Sequence, residues 1–180
     1  GGGFTFQETV LRALESATTT HEFVLLDVGG TGFGAQARSR FRTVDVRALF
    51  HSGNTTGDGI LPTQLAADVL GLDVVWYLHP PAEVLSVPTF VTVLDLAHRQ
   101  HPFFPEVSTR EWQWESRENY YRWVLPRAAR IFTGTESGKN EVVRCYGVNP
   151  ANVIVNPFPA PSSAPIDEKL GETEVLGKYG

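Results

Sequence analysis

Three stretches of the chain hold residues whose type and spacing can do chemistry. In "TVLDLAHRQHPFFP", Asp95 falls at the C-terminal end of an apolar run, and His98 and His101 follow it closely. A carboxylate at a strand end can accept a hydrogen bond from a substrate hydroxyl; equally, it can cap N–H groups of its own loop. The two histidines have the composition of a metal pair, but no third ligand has a convincing spacing, so no metal site is expected. His98 reads instead as a structural residue or one that orients a bound group. His79 ends the run "WYLHPP", where the competing reading is a turn histidine before a rigid proline pair. In "TGTESGKNEVV", Thr135 offers a capping hydroxyl and Glu136 suits the positive end of a helix, whereas Lys139 does not. A lysine tolerated there contacts an anion, lines a cleft or is simply solvated.

Two glycine-rich stretches raise the question of phosphate. The start "GGGFTFQETV" puts Gly1, Gly2 and Gly3 directly before a helix, whose free N–H groups can face a phosphate oxygen. Against that stands the ordering cost of glycine at a terminus. The second stretch, "GGTGFGA" from Gly29 through Gly34 to Ala35, contains G-x-G-x-x-A, formally a dinucleotide fingerprint, with Asp45 placed to meet a ribose hydroxyl. Only "QARSRFR" separates it from the next candidate strand, too little for a crossover helix. A flexible loop is the preferred reading over an NAD site.

The elements that must position these residues follow from periodicity. Thr5 and Glu8 have capping-box spacing, and Phe6, Val10, Ala13, Leu14 and Ala17 recur on one helical face. Apolar runs at 22–28, 72–78, 89–94, 130–133 and 153–155 read as strands, with a weaker one at 43–46. Helices are expected at 62–70, opened by Pro62 and followed by Gly71, at about 109–128, and at 136–146, ending before Gly147. Alternating strands and helices imply an α/β fold, a Rossmann-like doubly wound parallel sheet with helices on both faces. The Pro- and Ser-rich stretch at 156–168 marks a linker. Trp112, Trp114 and Trp123 fall on several helical faces, so some exposure or self-association is expected.

Composition narrows the partners. The chain has 180 residues, 42% of them hydrophobic, enough for one substantial core. A formal net charge of -5 supplies no positive field for a polyanion, so nucleic acid is not an expected partner. The single Cys145 excludes an internal disulfide framework, and no apolar run approaches the roughly 20 residues of a transmembrane helix. A cytoplasmic protein is expected, compatible with peripheral contact at a membrane.

The stretches "TVLDLAHRQHPFFPEVS" and "LPRAARIFTGTESGKNEVVRCYGVNPANVIVNPFP" resemble the N-terminal, acceptor-side domain of family-four retaining glycosyltransferases of the GT-B fold. The matching positions are Asp95, Leu96, His98 and Arg99, then Arg127, Ala128, Arg130, Ile131, Thr135, Glu136, Lys139, Tyr146, Gly147 and Val148. Leu94 stands where the family commonly has His, and Asn156-Pro157-Phe158 where it has Asn-Gly. The resemblance covers most of residues 1–160 and implies that 161–180 lead toward a second, nucleotide-sugar-binding domain. It implies transfer of a sugar from a nucleotide-sugar to a hydroxyl acceptor, with retention and without an essential metal or other cofactor. Asp95 and His98 then stand at the reacting centre, Gly1, Gly2 and Gly3 form a donor-phosphate loop, and His79, Arg99, Thr135, Glu136 and Lys139 face the acceptor or the cleft. Family members begin with a strand before the glycines, so the chain is expected to lack its first strand and half of its active site. It is therefore expected to be inactive alone and able to form a homodimer through the open sheet edge. An NAD-dependent enzyme and a non-catalytic binding or assembly module are the alternatives.

Overall fold

The structure, a computed structural model, describes residues 2–30, 32–36, 40–51, 61–105 and 114–158. Helix α1 (Gly2–Ser16) buries Phe6, Val10 and Leu11, while Ala13 and Ala17 stay exposed. The buried face is thus rotated from the expected one. The helix also starts earlier than the Thr5–Glu8 spacing predicts. Thr5 lies inside it and its carbonyl accepts a 2.8 Å bond from the Thr9 hydroxyl, while Glu8 pairs with Arg12 at 2.6 Å. No capping box forms, because contacts of the first turn recruit the glycines into the helix. The Phe4 ring meets Phe33 edge-on at 5.3 Å, and Phe6 meets Phe158 at 4.8 Å. Such pairs offset the roughly 1 kcal/mol that each helical glycine costs relative to alanine. Gly1 lies outside the described residues.

Strands β1 (Val24–Asp27) and β2 (Arg42–Asp45) form a parallel pair, with Asp27 opposite Asp45. The short helices α2 (Phe33–Gln36) and α3 (Val46–His51) flank β2 in sequence. Helix α4 (Pro62–Leu70) has the expected bounds. Proline opens it, and Gly71, at φ 63°, closes it in the left-handed conformation that glycine adopts without steric cost.

A second parallel sheet contains β3 (Val75–Tyr77), β4 (Thr89–Val93), β5 (Arg130–Thr133) and β6 (Val153–Val155), neighbours in that order. Between them lie α5 (Ala97–Gln100), α6 (Trp114–Val124), a 3-10 turn (Leu125–Arg127) and α7 (Glu136–Tyr146). Val91, Val93, Ile131 and Val153 of the strands pack with Tyr121, Val124 and Leu125 beside α6 and with Val142 and Tyr146 of α7. β4, an interior strand of this sheet, is buried at every position but Phe90.

The fold is Rossmann-like α/β, a parallel sheet flanked by helices. It departs from a single doubly wound sheet in one respect: its strands fall into two sheets. Among the described residues β1 pairs only with β2, and β3 only with β4. Apolar composition marks a strand but not its partner, since register and order come from hydrogen bonds between distant segments. Strands β3 to β6 run in sequence order, so no reversal within this sheet opens a crevice. The site must therefore arise at the strand ends themselves.

Candidate functional site

Beyond the C-terminal ends of β4 and β5 lies a cleft of about 390 Å³, within the size range of small-molecule sites. One wall is the chain leaving β4, through Leu94, Asp95 and Leu96. The opposite wall is the start of α7, with Thr135, Ser137 and Gly138 at its mouth and Glu141 one turn further. Pro157 and Phe158, just past β6, complete it.

Each wall is held by short-range hydrogen bonds. Asp95 Oδ1 accepts from the Ala97 amide at 2.9 Å, which turns the chain into α5, and its side chain remains 58% exposed. Both earlier readings of this carboxylate are thus geometrically compatible. Arg117 Nη1 stands 4.0 Å away, at the outer limit of an ion pair. Thr135 caps α7, its hydroxyl accepting from the Gly138 amide at 3.0 Å. The Asn156 amide donates to the Thr133 carbonyl at 2.8 Å and delivers Phe158 over Gly134. A Cβ at Gly134 would lie 2.8 Å from the Phe158 ring, so the absence of a side chain there permits the close approach.

Behind the Asp95 wall is a buried polar network. His98 is fully buried, with its Nε2 at 3.4 Å from Glu118 Oε2 and 3.5 Å from the Tyr146 hydroxyl. Its ring stacks on Tyr121, and the Trp114 indole donates to its carbonyl at 2.8 Å. Glu118 also accepts from Arg99 through Nε at 2.9 Å and through Nη2, from Arg122 Nε at 2.7 Å and from the Tyr146 hydroxyl at 3.3 Å. Burial pushes the Glu118 carboxyl up, but hydrogen bonds from Arg99 and Arg122 outweigh it and bring it to about 2. Burial, with the Arg117 charge second, lowers the pKa of His98 and favours its neutral form. Its Nδ1 finds no hydrogen-bond partner among the described residues.

His98 and Arg99 therefore do not line the cleft: both turn into the interior and fix α5 against α6 and α7. The geometry agrees with the structural reading of His98, and neither residue is among those lining the cleft. The adjacent Asp95 stays on the cleft. Thr135 lines it, whereas Glu136 and Lys139, on the same first turn of α7, do not. Gln100, Ser137, Glu141 and Phe158 were not singled out from sequence. Ser137 and Glu141 are spaced i, i+4 on one helix face, a signal that becomes informative only once that face is known. Gln100 is tied to Glu141 by a 2.5 Å hydrogen bond.

The first turn of α1 forms a separate neighbourhood. Gly2 and Gly3 are helical, not a loop, and a Cβ on Gly3 would lie 3.2 Å from the exposed His79 ring at the end of β3. The Phe6–Phe158 contact joins this neighbourhood to the cleft. In the other glycine stretch, the Gly32 amide donates to Asp27 Oδ2 at 2.6 Å, and Asp45 Oδ1 accepts from the Arg47 amide at 2.9 Å. The helix that follows, α2, has only four residues and offers little dipole to a diphosphate.

Trp123 is 58% exposed with the Arg127 guanidinium 3.8 Å from its ring centroid, and Trp114 is half-buried. Trp112 lies outside the described residues. Among those residues no group of three or more His, Cys, Asp or Glu side chains is arranged to hold a metal ion, and no helix is long and apolar enough to cross a membrane. Compared with known proteins, the chain matches no family model, and no curated protein or solved structure is significantly similar to it.

Proposed function

We propose that this chain is the acceptor-side half of a retaining glycosyltransferase that moves a sugar from a nucleotide-sugar donor to a hydroxyl acceptor. The observation that carries the reading is the cleft in which Asp95, from the end of β4, faces the capped start of α7. Hydroxyl and carboxylate oxygens beside an apolar wall suit a polyhydroxyl ligand. Thr135, Ser137 and Gln100 exchange hydrogen bonds with its hydroxyls, Asp95 accepts one and orients it, and Phe158 covers an apolar ring face. The helical glycines beside His79 are the proposed contact for the donor diphosphate, through the N–H groups of a 15-residue helix. Metal-independent transfer would leave stabilisation of the leaving group to such donors and to a nucleotide-binding domain.

Amide NMR tests this reading on the chain as it stands. Titration with uridine- and guanosine-diphosphate sugars is expected to shift the first turn of α1, and free sugars to shift residues 94–100 and 134–138. Silence in both regions overturns the proposal. So does saturable NAD binding that disappears in Gly32→Val, which would transfer the function to the second glycine stretch.

A further inference from the structure

The charges around the cleft restrict what can enter it. Two side chains on its lining are carboxylates, Asp95 and Glu141, and among the described lining residues no cation accompanies them. Arg117 Nη1 stands 4.0 Å from Asp95 Oδ1, at the outer limit of an ion pair, and offsets that carboxylate only in part. Gln100 donates to Glu141 without neutralising it. The helix end that forms the other wall also favours an anion. Its pull is reduced twice: the Gly138 amide is taken by Thr135, and the first turn carries Glu136. Lys139, the remaining cation of that turn, does not line the cleft.

Resting on the glycosyl-transfer reading, we infer that the acceptor taken by this cleft is a polyol without negative charge, a neutral or amine-bearing sugar rather than a phosphorylated or acidic one. Specificity here comes from exclusion: an anionic group entering between Asp95 and Glu141 loses its hydration and meets like charge. A neutral ring meets no such repulsion and has a smaller desolvation cost, and an ammonium gains a partner.

Glucose, glucosamine and glucose 6-phosphate are the probes, titrated at equal ionic strength while the amides of Leu96, Gly134 and Gly138 are followed by NMR. Glucose and glucosamine are expected to bind at least tenfold more tightly than glucose 6-phosphate, with glucosamine the tighter of the two. In the double variant Asp95→Asn/Glu141→Gln, which keeps the shape and one acceptor oxygen at each position while removing both charges, the exclusion of glucose 6-phosphate is expected to shrink about fivefold or more. Equal or tighter binding of glucose 6-phosphate by the unaltered protein overturns the inference and leaves the sugar-transfer reading standing. The inference also falls if the double variant rejects the phosphate as strongly as before, since charge is then not the selector. If none of the three shifts a cleft amide, the inference falls, and the sugar-transfer reading falls with it when nucleotide-sugars also leave the first turn of α1 unshifted.

Discussion

The two sides of the segment from Asp95 to Gln100 differ sharply although they are neighbours in sequence. On the cleft side, Asp95 keeps 58% of its side chain exposed and makes one loop-capping bond. On the inner side, His98 is sealed from solvent and Glu118 gathers donors from Arg99, Arg122 and Tyr146. A buried carboxylate demands that every partner be in place, so the inner side serves as scaffold. An exposed one has free lone pairs and can bind. Polar residues of similar type thus divide into support and function by whether the surrounding elements bury them or leave them on the cleft.

Removing the central carboxylate should break this division most severely. Glu118→Ala is expected to destabilise the protein by about 3 kcal/mol in urea unfolding, because it strands Arg99 in a partly buried position and leaves Tyr146 and His98 without their acceptor. A loss within the scatter of surface mutations would mean that the inner network is not structural.

Acid should act through the same residues with a predictable sign. His98 has a lowered pKa in the fold, so the unfolded chain takes up the proton first and stability falls as pH drops below about 6.5. Glu118, held at about 2 against an ordinary 4.5, contributes stability that is full above 4.5 and is lost as pH falls toward 2. The expected profile is a decline in two stages, and His98→Gln should flatten the upper one. A profile unchanged by that substitution would place the upper stage elsewhere.

Smaller effects belong to the cleft side. Thr135→Ala removes the cap of α7 and is expected to cost about 1 kcal/mol, while Thr135→Ser should restore most of it. Asp95→Asn should change stability by less than about 0.5 kcal/mol, since the amide oxygen still accepts from Ala97, yet weaken sugar binding severalfold. A large stability loss with binding intact would reverse the roles assigned to the two sides.

Much of the fold is legible in the amino-acid sequence. The helices at 62–70 and 136–146 and the strands at 130–133 and 153–155 have the expected bounds, because Pro62, Gly71, Thr135 and Gly147 act on their own neighbourhoods. The start of α1 departs from expectation for the converse reason: the local Thr5–Glu8 signal yields to rings from distant segments packing on Phe4 and Phe6. For the site, Asp95 and Thr135 were legible as polar residues at strand ends. Glu118 was not, since nothing in "WESRENYYRW" separates it from the exposed Glu115 until the helix is seated.

The amino-acid sequence by itself determined an α/β chain with parallel strands, the limits of the helices at 62–70 and 136–146, and the edge at which polar residues collect. These follow from hydrophobic periodicity and capping chemistry, which act over a few residues. Only the tertiary structure decided that the strands form two sheets, that His98 and Arg99 turn inward and that Phe158 closes the cleft over Gly134. Those outcomes depend on contacts between residues far apart in the chain, and no local pattern encodes which distant groups will meet.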